Sequence, residues 1–265
     1  MKQISSRDNP AYKSLKALIE DGREPRRQQR ALLEGVHLVT AYRDKIGVPR
    51  CLVVSEQGMT QAEVRALLDS LPAVETWLLR DALFKTLSEM ATPTGLLALI
   101  DLPESRAAAD RRNRSCILLD AVQDAGNVGS ILRSAAAAGI HEVFLGVGCA
   151  GVWTPRVLRA AQGAHFDLQL HEQADLSATL RGFNGLSVAA TAHGEEGLFD
   201  QPLNGPVAWL LGSEGRGIRP ELEMLATRRV TIPLATGSES LNVAAAAAIC
   251  LFEEVRQRRR VQQNF

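Results

Sequence analysis

Residues 124–133 read Asp-Ala-Gly-Asn-Val-Gly-Ser-Ile-Leu-Arg, which sets an amide and a guanidinium near the head of a helix built from small residues. With that helix entered near Asn127, Ser130 and Arg133 stand one turn apart, so Asn127 and Arg133 are able to face one site. The amide donates and accepts, whereas the guanidinium only donates and keeps its charge, so the pair would recognise a ligand by hydrogen bonding and charge. A plainer reading of the same residues, an N-cap and a surface arginine, stays open at this point. A second candidate is the turn Gly-Ser-Glu-Gly-Arg-Gly at 212–217, where backbone can approach a ligand without side-chain obstruction. A third is the polar loop at 235–240, followed by Leu241-Asn242-Val243 and the alanines Ala244 to Ala248. That alanine run is strong helix material with little bulk, so other backbone can pack close to it.

Other chemistries find less support. Gly146 to Gly151 fits the GxGxxG dinucleotide fingerprint and follows an apolar run, but Thr154 and Pro155 start the next helix several residues too late to place a pyrophosphate on its N-terminus. Cys51, Cys116, Cys149 and Cys250 form no CxxC pair, and His165, His171 and His193 lack metal-ligand spacing. Neither a metal nor a disulfide framework is expected. The first eight residues contain no apolar h-region and no run approaches the ~20 apolar residues of a membrane span, so a soluble, cytoplasmic protein is expected.

These candidates need elements to position them. The strand at 207–211 delivers the glycine turn and the strand at 230–233 delivers the polar loop. Further strands are expected at 116–120, 141–145, 165–170 and 186–191, with helices at 156–163 and from 241 to about 256. Three strands therefore end in polar loops, after Thr191, Leu211 and Ile232. In a mostly parallel sheet such ends lie along one edge, where open α/β folds place their ligands, so the loops are expected to share one pocket. Upstream, strand and helix alternate from residue 31 to 100 in a small α/β unit, preceded by a helix that starts at Asn9-Pro10 and faces Tyr12, Leu15, Leu18 and Ile19 inward. Residues 101–115 are polar and arginine-rich, so the expected division is an N-terminal domain at 1–104, a linker at 105–115 and a second domain at 116–265. Thirty basic and thirty acidic residues give zero net charge. Lys2, Arg7, Lys13, Lys16, Arg23, Arg26, Arg27 and Arg30 nevertheless make the first stretch locally basic, which on charge alone reads as a solvated face.

Three segments, in this order and spacing, resemble the signature motifs of the SpoU/TrmH-type RNA 2'-O-ribose methyltransferases of the SPOUT superfamily. They are residues 124–133, residues 211–218, and Ile232-Pro233-Leu234 through Ser240-Leu241-Asn242-Val243-Ala244. Residues 154–160 with Gly163 and Ala164 are similar to that family's connecting helix. The resemblance covers the chain from about Cys116 onward, and the N-terminal part more loosely resembles the L30-like substrate-binding domain of rRNA-modifying members.

The resemblance implies an α/β domain closed by a C-terminal trefoil knot, an exception to the rule against threaded chains, with the alanine run passing through a tight loop. It implies S-adenosylmethionine (SAM) as cofactor, held by backbone at Gly212, Ile232 and Leu241. It places Asn127, Arg133, Glu214, Ser240 and Asn242 around the transfer of a methyl group to a ribose 2'-hydroxyl. By the same resemblance the partner is RNA, rRNA (23S) ahead of tRNA because of the extra domain, and the protein is a homodimer. The basic N-terminal face then becomes an RNA contact. A non-catalytic RNA-binding member is the alternative of a different class. Ala244 departs from the hydroxyl residue common after Asn-Val in the family, and Leu234 replaces a common Met at similar volume.

Overall fold

The computed structural model describes residues 1–103, 113–194 and 196–263. Most of the expected linker, with Arg106, Arg111 and Arg112, lies outside the described residues, as does Glu195. The chain divides into two compact units: Met1–Glu104 with Gly151–Phe166, and Ser105–Ala150 with Asp167–Phe265.

The first unit contains β1 (Lys2–Ile4), β2 (Arg30–Glu34), β3 (Cys51–Ser55), β4 (Glu75–Leu79) and β5 (Leu96–Asp101), in the sheet order β1-β4-β3-β5-β2. Asn9 accepts the Ala11 N–H at 2.9 Å and caps the helix Pro10–Glu20, whose first turn is primed by the fixed φ of Pro10. Tyr12, Leu15 and Leu18 are buried against Leu32, Val53 and Leu79, as the helical period requires. The segment Gly151–Phe166 joins this unit and carries the helix Pro155–Ala161. Thr154 holds the N-cap position, but its hydroxyl donates back to the Gly151 carbonyl at 2.9 Å. The glycine run therefore does not open a helix, which is the reason for setting the dinucleotide reading aside.

Residues 165–170 do not form the single strand expected. Ala164–Asp167 is a 3-10 turn, and the strand starts at Gln169. Ala164, His165 and Phe166 are buried consecutively, which an alternating strand does not allow.

The second unit contains β6 (Cys116–Asp120), β7 (Glu142–Leu145), β8 (Gln169–Glu172), β9 (Leu186–Ala190), β10 (Glu196–Gly197), β11 (Val207–Gly212) and β12 (Arg228–Thr231). The order is β10-β12-β9-β11-β6-β7-β8, with every neighbouring pair parallel. Continuous apolar burial along β6 and β11 fits strands covered on both faces.

The helix Ala125–Ala138 begins two residues earlier than expected, because Asp124 and not Asn127 is the cap: its carboxylate accepts the Asn127 N–H at 2.8 Å. The last helix, Val243–Gln263, is pinned from inside. Glu254, fully buried, accepts the Ser115 hydroxyl at 2.5 Å and the Trp209 indole N–H at 2.6 Å. The arginines near its end are helical: Arg256 pairs with Glu253 at 2.6 Å, and Arg258 donates to the Ala138 carbonyl at 3.2 Å.

Candidate active site

Because β6, β9, β11 and β12 run parallel, their C-terminal ends share one edge, with Gly212 beside Asp120 and Val230 beside Ala190. A cavity of about 610 Å³ opens there. It is walled by the segments that follow the strands: Ala190 to His193, Leu211 to Ile218, Val230 to Ile232 with Leu234, and Ser240 to Val243. The expectation that these loops share a pocket holds. Gly212, Ile232 and Leu241 all line it, as do Glu214, Ser240 and Asn242.

The glycine turn is a closed loop. The Ser213 N–H donates to the Gly217 carbonyl at 3.2 Å, and the Gly217 N–H to the Ser213 carbonyl at 2.8 Å. Gly217 turns the chain at φ +68°, a value other residues seldom adopt. Gly212 is required for a different reason from ligand approach: a Cβ there would lie 2.1 Å from the Gly217 carbonyl carbon. The turn folds onto its own entry strand, and only hydrogen fits between.

Three residues far apart in sequence meet at the lip of the cavity. Asn242 accepts the Ala244 and Ala245 N–H groups at 2.9 and 3.3 Å, capping the last helix. Its Nδ2 donates to Asn127 Oδ1 at 2.9 Å, and the Asn127 Nδ2 donates to Glu214 Oε1. The direction of this chain is fixed by chemistry. Helix N–H groups only donate, so Asn242 must present its oxygen to them and its nitrogen to Asn127. Asn127 then has only its own nitrogen left for Glu214, which must accept and is therefore served best as a carboxylate. Each side-chain amide keeps a second N–H for further bonding.

Ser240 and Asn242 sit together on the exposed loop that enters the last helix, and both line the cavity. Arg133 stands apart. It is exposed, six residues along the helix from Asn127, outside the cavity lining, and it forms no ion pair with a described residue. Six residues on a helix turn a side chain through ~240° and ~9 Å, so Arg133 does not share the face of Asn127. The structure thus joins Asn127, Glu214 and Asn242 directly, adds Ser240 as a neighbour, and leaves Arg133 facing solvent.

Thr191, His193 and Arg216 also line the cavity; the sequence reading placed their loops on the shared edge but gave none of the three a role. Their only signal was position just beyond a strand end on the shared edge. The four cysteines are free thiols. Burial is the main cause that pushes Cys51, Cys116 and Cys250 up to about 12 and Cys149 up to about 11. None is a nucleophile at neutral pH. Among the described residues no cluster of His, Cys, Asp or Glu is arranged to hold a metal, and no helix is long and apolar enough to cross a membrane.

A parallel sheet with a loop-walled cavity and a motif-spanning side-chain chain at its C-terminal edge defines the class, and the comparisons agree with it. Residues 114–252 match the SpoU rRNA Methylase family, and residues 1–98 match the MRM3-like substrate binding domain. A 23S rRNA (guanosine(2553)-2'-O)-methyltransferase, RlmP of Bacillus subtilis, is 32% identical over 95% of this chain and 98% of its own. Among solved structures, the SpoU methyltransferase AviRb from Streptomyces viridochromogenes in complex with AdoMet superposes with a TM-score of 0.85 at 27% identity, covering 95% of this chain and 98% of that one. The AdoMet-bound rRNA methyltransferase from Sinorhizobium meliloti gives 0.81 at 25% identity, covering 96% and 97%. The chain belongs to the SpoU rRNA methylase family.

Proposed function

We propose that this protein transfers a methyl group from SAM to a ribose 2'-hydroxyl of 23S rRNA. One observation carries the reading: Glu214, Asn127 and Asn242, one from each of three motifs, are hydrogen-bonded in series at the mouth of the cavity. The full-length relative RlmP, which acts on 23S rRNA by its name, supports the choice of substrate.

The cavity suits the cofactor. Its volume lies in the ~300–1,000 Å³ range of small-molecule sites. Leu211, Ile218, Val230, Ile232 and Leu241 supply apolar walls for a purine. Gly212, Ile232 and Leu241 would hold the adenosine part through backbone groups, with Glu214 and Asn242 at the end where methyl transfer takes place. SAM brings a methyl group already activated on a sulfonium, which departs as a neutral thioether.

The protein's own work is then alignment and management of one proton. The free N–H groups of Asn127 and Asn242 orient the ribose, and Glu214 holds Asn127 to that task. Arg133, always charged and without an acceptor, is a poor base. In this proposal it grips the phosphate of the target nucleotide, lowers the hydroxyl pKa by its field, and leaves the proton to a phosphate oxygen or water. Its exposure, free of an ion pair with a described residue, supports a role that waits for an anionic partner.

The proposal extends to a homodimer, supported by Phe252, 47% exposed on the last helix, and to a cytoplasmic setting, where rRNA is found. It includes the trefoil knot that the family resemblance implies, for which the small side chains of Ala244 to Ala248 on the last helix are suited. Residues 1–104 serve as the RNA-binding domain and 116–265 as the methyltransferase domain. Calorimetry with SAM and with NAD tests the cofactor: SAM binding with no NAD binding is expected, and the reverse overturns the proposal. An Arg133→Lys enzyme with near-wild-type turnover and RNA affinity would remove the need for a planar, forked donor.

A further inference from the structure

We infer that Asp120 is a positioning residue for methyl transfer, acting through Arg219 on the glycine turn. The inference rests on the cavity being the SAM site. Asp120 ends β6, is 1% exposed, and lies beside Gly212 in the sheet register. Both of its oxygens go to one residue: Oδ2 accepts the Arg219 backbone N–H at 2.8 Å, and Oδ1 accepts Arg219 Nε at 2.8 Å.

The geometry of the turn shows what this does. Entry is fixed by β11 through Gly212, and closure by the Ser213–Gly217 pair. Exit runs through Ile218 to Arg219, where the buried carboxylate takes hold of the backbone. Glu214 lies between these anchors. Asp120 also stands four residues before Asp124, the cap that holds the Asn127 N–H. One strand end therefore sets both partners of the Asn127–Glu214 bond. Release of the turn would shift Glu214 against Asn127 and move the Gly212 and Ile218 walls together.

The side-chain chemistry offers a discriminating set of variants. Arg219→Ala keeps the backbone N–H and so keeps the grip on the exit. Asp120→Asn has the same shape, but it either presents a donor to the Arg219 Nε–H or surrenders the backbone bond. Adding Arg219→Ala to Asp120→Asn removes that conflict. We expect D120N to weaken SAM affinity about 10-fold and to lower kcat about 100-fold, on the scale of a misplacement near ~1 Å. R219A should stay within a few-fold of wild type, and the double variant should recover toward R219A. Amide hydrogen exchange on the SAM-free protein should show faster exchange at residues 213–219 in D120N, with β11 unchanged.

A D120N protein that loses thermal stability yet keeps wild-type SAM affinity, kcat and exchange at 213–219 would overturn the inference. So would an R219A protein as impaired as D120N. Wild-type protein that fails to bind SAM would strike at the proposed function instead, and the exchange measurement would still decide the role of Asp120. Should D120N alone fail to fold, R219A and the double variant, in which the conflict at Asp120 is removed, carry the test.

Discussion

At the scale of single residues, direction matters more than proximity. Asn242 caps a helix with its oxygen and must donate with its nitrogen, so the chain from the last helix to Glu214 has one permitted sense. Asn242→Asp tests this without removing the cap. A carboxylate still accepts the helix N–H groups, but it faces Asn127 Oδ1 with a second acceptor. We expect near-native thermal stability with turnover lowered at least ~100-fold, the size of losing one preorganised donor. Equal loss in Asn242→Asp and Asn242→Ala stability would show that the cap, not the relay, was removed. His165 gives a separate, pH-dependent prediction in the first unit. Its Nε2–H donates to the Val152 carbonyl at 2.7 Å, which leaves a bare, buried Nδ1 without a partner. Burial is the main cause that lowers its pKa from 6.5 to about 4. As pH falls through 6.5 the unfolded chain takes up a proton that the folded chain refuses. Stability present above pH 6.5 is therefore lost toward pH 4, by roughly 3 kcal/mol. Urea unfolding at both pH values checks this, and His165→Gln should flatten the dependence.

At the scale of elements, parallel strands bring sequence-distant loops to one edge, and two buried contacts hold the movable parts. Gly212→Ala places a methyl group on the Gly217 backbone, so the turn must reopen. Loss of measurable SAM binding with a largely intact far-UV spectrum is the expected outcome; SAM affinity unchanged from wild type would contradict it. Trp209→Phe removes the indole donor from buried Glu254, whose pKa burial already pushes up. A cost of ~1–3 kcal/mol in urea unfolding is expected, because a buried acceptor loses one partner. Most strands and the long helices were legible in the sequence, since β6 and β11 are nearly continuous apolar runs, β9 is apolar but for Ser187, and Tyr12, Leu15 and Leu18 keep a helical period, whereas the short edge strands β1 and β10 carry no such pattern. The helices Glu24–Gln28, Leu176–Arg181 and Pro220–Glu223 were not, being too short to show a period. Nor was the turn at Ala164–Asp167, where tertiary burial overrides an apparently strand-like composition.

At the scale of the whole molecule, the motifs were legible as types and order, but the bonds joining them were not. Residues 127 and 242 are 115 positions apart, and only the sheet order brings their loops together. The same distance hid Asp120, whose partner is 99 positions away. The segment Gly151–Phe166 illustrates the reverse limit. Its family-like composition points to the second domain, whereas its packing places it in the first unit. The zero net charge of the chain conceals the basic N-terminal stretch, so RNA affinity should depend on local charge. Replacing Lys13, Lys16, Arg26 and Arg27 with glutamine should weaken 23S rRNA binding in a filter assay and flatten its salt dependence, while SAM affinity stays unchanged. RNA affinity that ignores these changes would place the contact elsewhere.

Methyl transfer to a ribose oxygen is put to the test by single-turnover transfer from methyl-labelled SAM to unmodified 23S rRNA, followed by alkaline hydrolysis. Label is expected in one alkali-resistant dinucleotide, bearing a 2'-O-methyl group, and should disappear with Asn127→Ala. Label recovered on a base, in alkali-sensitive mononucleotides, or equally with the Asn127→Ala protein would contradict it.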